Sequence, residues 1–297
     1  MAADCRWTHE KVETVARIAV VTDSTCDLGP EGLAAIGVTA VPLKIRFGDE
    51  TYRDWVDLSP EQFYKQLAAA KSLPTTSQPT PGEFGQEYER LADEGADGIV
   101  SIHVSSKLSG TYESAVMAAD KAAIPVRVID TLTASGAIQL SITAACELRD
   151  QGAGLEEVEQ AARETARSTE LFFFLDTLDY LVKGGRAGKA TGLAAVLLNI
   201  KPVLEIRGGI LEPFRKSKGT RKAIAETSAH VAERSKVLGP IDIVIINAVA
   251  PELAHDLGRA IVRAGTNIAS VTHSEIGAVI GTYAGPGAVG VGYSPAR

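Results

Sequence analysis

The chain has 297 residues, of which 45% are hydrophobic and 23% charged, and a formal net charge of −7 at neutral pH. That length suits two compact domains of roughly 150 residues each, and the composition excludes a mainly disordered chain. The acidic balance argues against nucleic acid as the principal partner, because phosphate binding draws its affinity from clustered Lys and Arg.

The opening stretch MAADCRWTHEKVETVAR has no signal-peptide core, and no apolar run reaches the roughly 18 to 20 residues that span a bilayer. Cys5, Cys26 and Cys146 are odd in number and lack the close spacing of a zinc site or a redox pair. The expectation is a cytoplasmic protein with reduced thiols, no metal and no transmembrane segment, its membrane contact at most transient. Next, RIAVVTD, GIVSIHV and VRVIDT are predicted as buried strands. SPEQFYKQLAAAK and PGEFGQEYERLADEG, with apolar residues three and four apart, are predicted as helices between them. This alternation implies a largely parallel sheet flanked by helices, with ligands beyond the carboxyl ends of the strands, where VTDST and VSSKLSGT fall. Past residue 160 the pattern changes. LFFFLDT, KPVLEI, IDIVIIN and NIASVTHSEIG are strand-like, and PVLEIRGGILEPF predicts a hairpin turning at Gly208-Gly209. The expected fold class is therefore α/β in two domains with the ligand site between or beside them: an extension over 1–16, an N-terminal domain over 17–160, and a C-terminal mixed-sheet domain over 161–297.

Several clusters carry polar chemistry. Asp23, Ser24 and Asp27 end the first strand, where two acids hold a metal, act as acid and base, or cap the following helix. Thr75, Thr76, Ser77 and Thr80 sit among Pro74, Pro79 and Pro81, which stiffen their presentation. Thr80 and Pro81 fit a helix start, which leaves TTSQ unexplained. In KLSGTYESA, a helix starting at Ser109-Gly110-Thr111 offers unpaired amides and hydroxyls to a carboxylate or phosphate, or uses Ser109 or Gly110 simply as its cap. YLVKGGRAGKATG misses the Walker A spacing, because Lys183 stands where glycine is required and Ala190 follows Lys189. Lys183, Arg186 and Lys189, with Lys216, Lys218, Arg221 and Lys222, form basic stretches. GPGAVG matches a dinucleotide fingerprint by letter but has no following helix and strand before Arg297, so its glycines are expected to allow a close backbone approach. His9, His103, His230, His255 and His273 show no ligand spacing, and His103 lies in a predicted core strand.

VTDSTCDL, TTSQPTPGEF, SSKLSGTYESA, LDTLDYLVKGGRAGKATG, KPVLEI and GPGAVGVGY, in this order, resemble the DegV family of bacterial lipid-binding proteins. The resemblance implies a two-domain α/β protein that holds one long-chain fatty acid, needs no cofactor and has no catalytic activity of its own. It would present the acyl carboxylate to a separate ATP-dependent fatty acid kinase subunit, for an acyl phosphate used in phospholipid synthesis. By the same resemblance Thr76, Ser77 and Ser109 contact the carboxylate, with Gly110 and Thr111 beside them, and Arg186 faces the kinase rather than the lipid. Tyr283 stands where the family pattern carries a histidine; a phenol donates one hydrogen bond but supplies no positive charge at neutral pH. The tail would occupy an apolar tunnel lined from GLAAVLLNIKPVLEI and LFFFLDTL. Two other readings stay open. One is an ester or thioester hydrolase using Ser109 or Thr111 with Asp23 or Asp27, the other a binder of anionic sugars or phosphates.

Overall fold

The computed structural model describes residues 16–196 and 201–297. The expected N-terminal extension and part of GLAAVLLNI therefore lie outside the described residues.

The first half runs β1 (Ile18–Asp23), α1 (Gly29–Ala35), β2 (Val38–Val41), β3 (Lys44–Phe47), β4 (Glu50–Arg53), α2 (Pro60–Ala69) and β5 (Thr75–Ser77). It continues through α3 (Pro81–Asp93), β6 (Gly98–His103), α4 (Thr111–Ala119), β7 (Val126–Asp130), α5 (Ile138–Asp150) and α6 (Leu155–Ser168). Four strands pair in the order β2-β1-β6-β7, all parallel, as the alternation of strands and helices predicts. Both faces are covered, which explains the unbroken apolar runs. Val20, Val100 and Ile102 pack under α5 and α6 with Ile138, Ile142 and Val158, whereas Val21 and Ile99 point the other way onto Phe84, Tyr88 and Ala115 of α3 and α4. A separate antiparallel sheet, β4-β3-β5, covers one flank.

The second half comprises β8 (Glu170–Phe174), α7 (Asp179–Lys183), β9 (Lys201–Arg207), β10 (Ile210–Ser217), α8 (Thr220–Leu238) and β11 (Ile241–Asn247). It ends with α9 (Pro251–Arg263), β12 (Ile268–Glu275), α10 (Ala278–Ala284) and β13 (Val289–Pro295). Its strands form one mixed sheet, β10-β9-β8-β13-β11-β12, in which only β11 and β12 run parallel. The β9–β10 hairpin turns at Gly208 and Gly209, whose φ of 56° and 87° is the conformation a two-residue turn with both central residues left-handed requires. The expected division near residue 160 falls inside α6. Val158, Ala161, Ala162 and Ala166 of this helix are buried, and Val158, Ala162 and Ala166 share the core of the first sheet, so the chain changes sheet only after Ser168.

β13 sets the distance between the two halves. Its residues alternate as Val289, Gly290, Val291, Gly292, Tyr293, and Val289, Val291 and Tyr293 enter the core shared with α8 and α9. On the opposite face a side chain on Gly292 would meet Ala137 Cβ at 2.9 Å and Val244 Cγ1 at 3.0 Å. Gly292→Val is accordingly expected to lose about 1 to 3 kcal/mol by overpacking, seen as a lower urea midpoint with an unchanged m-value.

Candidate functional site

Where the second sheet meets the carboxyl ends of the first, a cavity of about 870 Å³, counting the open space at its mouth, lies between the halves. Its walls follow from periodicity. Leu171 and Phe173 share one face of β8 and line the cavity with Leu175, while Phe172 and Phe174 turn into the helix-covered core on the other face. LFFFLDTL thus supplies part of the wall, as expected. Val279, Ile280, Tyr283 and Ala284 form one face of α10 and line it too. Ile206, Leu211 and Ile246 come from the remaining strands, and Val104 and Leu108 follow β6.

The mouth gathers polar groups from distant segments. Thr76, Ser109, Arg186 and Tyr283 all border the cavity. Thr76 Oγ1 lies 2.5 Å from the Tyr283 hydroxyl, and Ser109 Oγ lies 2.8 Å from Thr111 Oγ1. In each pair one hydroxyl proton makes the mutual bond and the other is free to donate onward. The Arg186 guanidinium carbon stands 4.8 Å from the centre of the Tyr283 ring, a cation–π contact, while its Nε donates to Leu108 O at 3.3 Å. The positive charge that Tyr283 cannot supply is thus carried by the group stacked on it. Arg186 is exposed and at the same time borders the cavity, so it is not turned solely outward.

Ser77 is exposed on the opposite face of β5 from Thr76 and does not border the cavity, a consequence of the two-residue period of a strand. TTSQ is thus in part a strand, paired with β3. Gln78 reaches across to donate to Gly110 O at 3.1 Å and Ser114 Oγ at 3.3 Å, tying the two hydroxyl segments together. Gly110 is the cap residue of α4 and Thr111 is buried behind Ser109; neither borders the cavity. Thr80 and Glu83 form a reciprocal capping box with Pro81 in the first turn, as predicted.

The remaining candidates are structural. Asp23 accepts from Thr25 N at 3.0 Å and Val104 N at 3.1 Å and pairs with His103 Nδ1 at 3.0 Å. His103 is fully buried, with Nε2 2.7 Å from Ser101 Oγ, as the core reading predicts. Asp27 accepts from Ser135 Oγ at 2.5 Å and Gly277 N at 2.9 Å, and burial holds its carboxyl well above the usual range. Burial also pushes the Cys26 thiol far up and that of Cys146 to about 11, so neither is an activated nucleophile. Ser109 has no His or carboxylate as hydrogen-bond partner among the described residues, and no group of three or more His, Cys, Asp or Glu there is arranged for a metal. No described helix is long and apolar enough to cross a membrane. Lys189 pairs with Glu212 at 2.7 Å and Lys222 with Glu226 at 3.7 Å, so the basic stretches are partly neutralised. In GPGAVG, a side chain on Gly285 would run into the Tyr180 ring, and one on Gly290 would meet Phe172 O and Phe173 Cβ at 2.8 Å. These are the close approaches the glycines were expected to allow.

Two α/β units thus enclose a largely apolar cavity, bordered by the Thr76, Ser109 and Tyr283 hydroxyls and the Arg186 guanidinium, with Thr25 and Ser135 also in its lining. The family described as "Uncharacterised protein, DegV family" matches residues 17–296, and the chain belongs to it. A DegV domain-containing protein of Streptomyces coelicolor is 39% identical over 274 residues, 92% of this chain and 97% of that one. A Thermotoga maritima protein named "Fatty acid-binding protein" is 34% identical over 281 residues, 93% and 97% of the two chains. The solved structure described as "Fatty Acid Binding of a DegV family Protein from Thermus thermophilus" superposes with a TM-score of 0.87 at 34% identity, covering 94% of this chain and 100% of that one.

Asp54 was not singled out in the sequence. It is 1% exposed, its Oδ1 accepts from Ala278 N at 3.0 Å, and burial pushes its carboxyl up to about 7 from an ordinary value of 3.8. The folded state therefore holds this proton more tightly than the unfolded one, and its contribution to stability falls as pH rises between about 4 and 7. Asp54→Asn removes that contribution. Urea titrations from pH 4 to 7.5 should show the variant gaining on the parent with rising pH, by up to about 1.4 kcal/mol per unit.

Proposed function

We propose that this protein binds one long-chain fatty acid, with the tail in the cavity and the carboxylate at Thr76, Ser109, Tyr283 and Arg186. The observation that carries the reading is the convergence of these four polar residues on the mouth of a cavity whose remaining lining, apart from Thr25 and Ser135, is apolar. Burying ten to fifteen methylenes at roughly 0.8 kcal/mol each contributes on the order of 10 kcal/mol before association costs, and each hydrogen bond to the charged group adds about 1.5 to 3 kcal/mol. The tail sets affinity, and the head group sets orientation. A carboxylate entering this apolar site without donors would be strongly disfavoured, and the two free hydroxyl protons and the guanidinium meet that need. The fatty-acid-binding names of the Thermotoga and Thermus relatives support the same ligand class.

The exposed mouth suits presentation to a separate ATP-dependent kinase subunit. There a carboxylate oxygen would attack the γ-phosphorus of ATP, releasing ADP and leaving an acyl phosphate. Arg186, planar and exposed, is suited to pair with either a carboxylate or a phosphoryl group, and this chain contributes binding and orientation without catalysing a reaction alone. The pairing of Ser109 with Thr111, rather than with a base, favours this role over an acyl hydrolase.

Delipidated protein should bind a series of saturated acids with affinity rising about fourfold per methylene until the cavity is full. Ser109→Ala should weaken binding of a C16 acid roughly ten- to a hundredfold; a chain-length-independent affinity would overturn the reading. Arg186→Ala is expected to cost less than about tenfold in fatty-acid affinity, since solvent screens an ion pair at this exposed side chain, while acyl phosphate formation with the cognate kinase falls much further.

A further inference from the structure

Helix α10 is seven residues long, yet it supplies Val279, Ile280, Tyr283 and Ala284 to the cavity. Two turns of helix do not hold their own conformation in water, so external contacts fix this element. Its backbone hydrogen bonds to side chains of distant segments fall at its first residues. Asp27 Oδ1 accepts from Gly277 N at 2.9 Å and Asp54 Oδ1 from Ala278 N at 3.0 Å. Both carboxylates belong to the first half of the chain and the amides to the second. Ser135 Oγ donates to Asp27 Oδ2 at 2.5 Å, Ser274 Oγ to Asp27 O at 2.8 Å, and Tyr64 OH to Ile276 O at 3.1 Å. The Trp55 ring fills the space that a side chain on Gly277 would need.

This junction is energetically expensive. Asp27 and Asp54 are buried carboxylates, and among the described residues Asp54 Oδ2 and Trp55 Nε1 are buried without a hydrogen-bond partner. Asp27, Trp55 and Ser135 have φ of 55°, 64° and 58°, three of the five non-glycine residues with positive φ among those described. A left-handed conformation is especially unfavourable for a bulky residue such as tryptophan. Neither carboxylate borders the cavity. What the junction does fix is where α10 begins, and one turn and a half later that helix places the Tyr283 hydroxyl 2.5 Å from Thr76.

We propose that Asp27 and Asp54, braced by Trp55 against Gly277, are positioning residues that set the docking angle of α10 and so hold the Tyr283 phenol at the head-group end of the cavity. The inference rests on the fatty-acid reading above. Loosening the junction would swing the phenol out of register with Thr76 and Arg186 while leaving the wall that the strands contribute, Leu171, Phe173, Ile206, Leu211 and Ile246, in place.

The test compares hexadecanoic acid with hexadecan-1-ol, which share a tail and differ in head group, on the full chain. Tyr283→Phe should reduce the preference for acid over alcohol by about tenfold, the effect of one hydrogen bond to a charged group. Asp54→Ala should reduce it similarly, weakening the acid more than the alcohol, and should add little further loss of preference to Tyr283→Phe. Asp54→Asn, which keeps an oxygen acceptor for the Ala278 amide, should recover part of the preference and carries the same measurement if the alanine variant does not fold. Equal weakening of acid and alcohol, or full additivity with Tyr283→Phe, overturns the proposal. A second readout needs no lipid. Of the seven tyrosines, labelled with 3-fluorotyrosine, the Tyr283 resonance is the one missing from Tyr283→Phe, and it should shift or broaden in Asp54→Ala. An unmoved resonance overturns the proposal. If the parent protein binds neither amphiphile, the fatty-acid reading fails and the fluorine signal alone decides the positioning role.

Discussion

The cavity exists because the two halves of the chain touch at a point where neither carries a side chain large enough to keep them apart. The turn at Ser135–Ala137 brings Gly136 within about one atom of Ser274 and Ile246, and brings Ala137 over Gly292 in the middle of the second sheet. Glycine backbone rests directly on neighbouring side chains at that point. Beside it, Gly290 leaves the sheet surface bare, and the apolar residues of β8, β9 and β11 there face space rather than a covering helix. A sheet packed at ordinary side-chain distance would have filled the same region with core residues. The steric thinness of one strand thus sets the separation on which the cavity, its mouth and the seat of α10 depend.

The electrostatics around the cavity suit a bound anion despite three nearby buried acids. Asp23 is enclosed by amide, hydroxyl and imidazole groups, so its charge is met locally. Asp27 and Asp54 are pushed by burial toward their neutral forms, Asp54 to about 7. A neutral carboxyl does not repel a carboxylate, and the Arg186 guanidinium that would pair with the ligand stacks on the Tyr283 ring at the cavity border. The same burial that weakens the fold also quiets the field the ligand would feel.

Much of the architecture was legible because burial on both faces leaves an unmistakable mark. β1, β6 and β7 appear as apolar runs, and Gly208-Gly209 announces its hairpin. The three-stranded sheet escaped notice because KIRF and ETYR mix polar and apolar residues over only four positions each, and Thr75–Ser77 is flanked by prolines that signal a loop. Missing that strand had a direct effect on the site. Without knowing that β5 is extended, nothing distinguishes the inward Thr76 from the outward Ser77. Ser109 and Tyr283 were found through the order of motifs, and both reach the cavity. Arg186 sat in a basic run, and its stacking on a ring almost a hundred residues away has no local signature. Asp54, Trp55 and Ser135 act only through contacts with α10 or its neighbours, and no spacing rule links positions more than a hundred residues apart.

The tip of the β9–β10 hairpin has a further significance. Ser105 Oγ donates to Gly209 O at 2.8 Å, fastening the tip to the loop that follows β6, and the hairpin strands contribute Ile206 and Leu211 to the cavity wall. Whatever occupies that space becomes mortar between two stones: it touches both and replaces the water that would otherwise separate them. By mass action the filled protein is the sturdier species. Release of the occupant and slackening of the seam would then be a single event, seen once from the guest and once from the host.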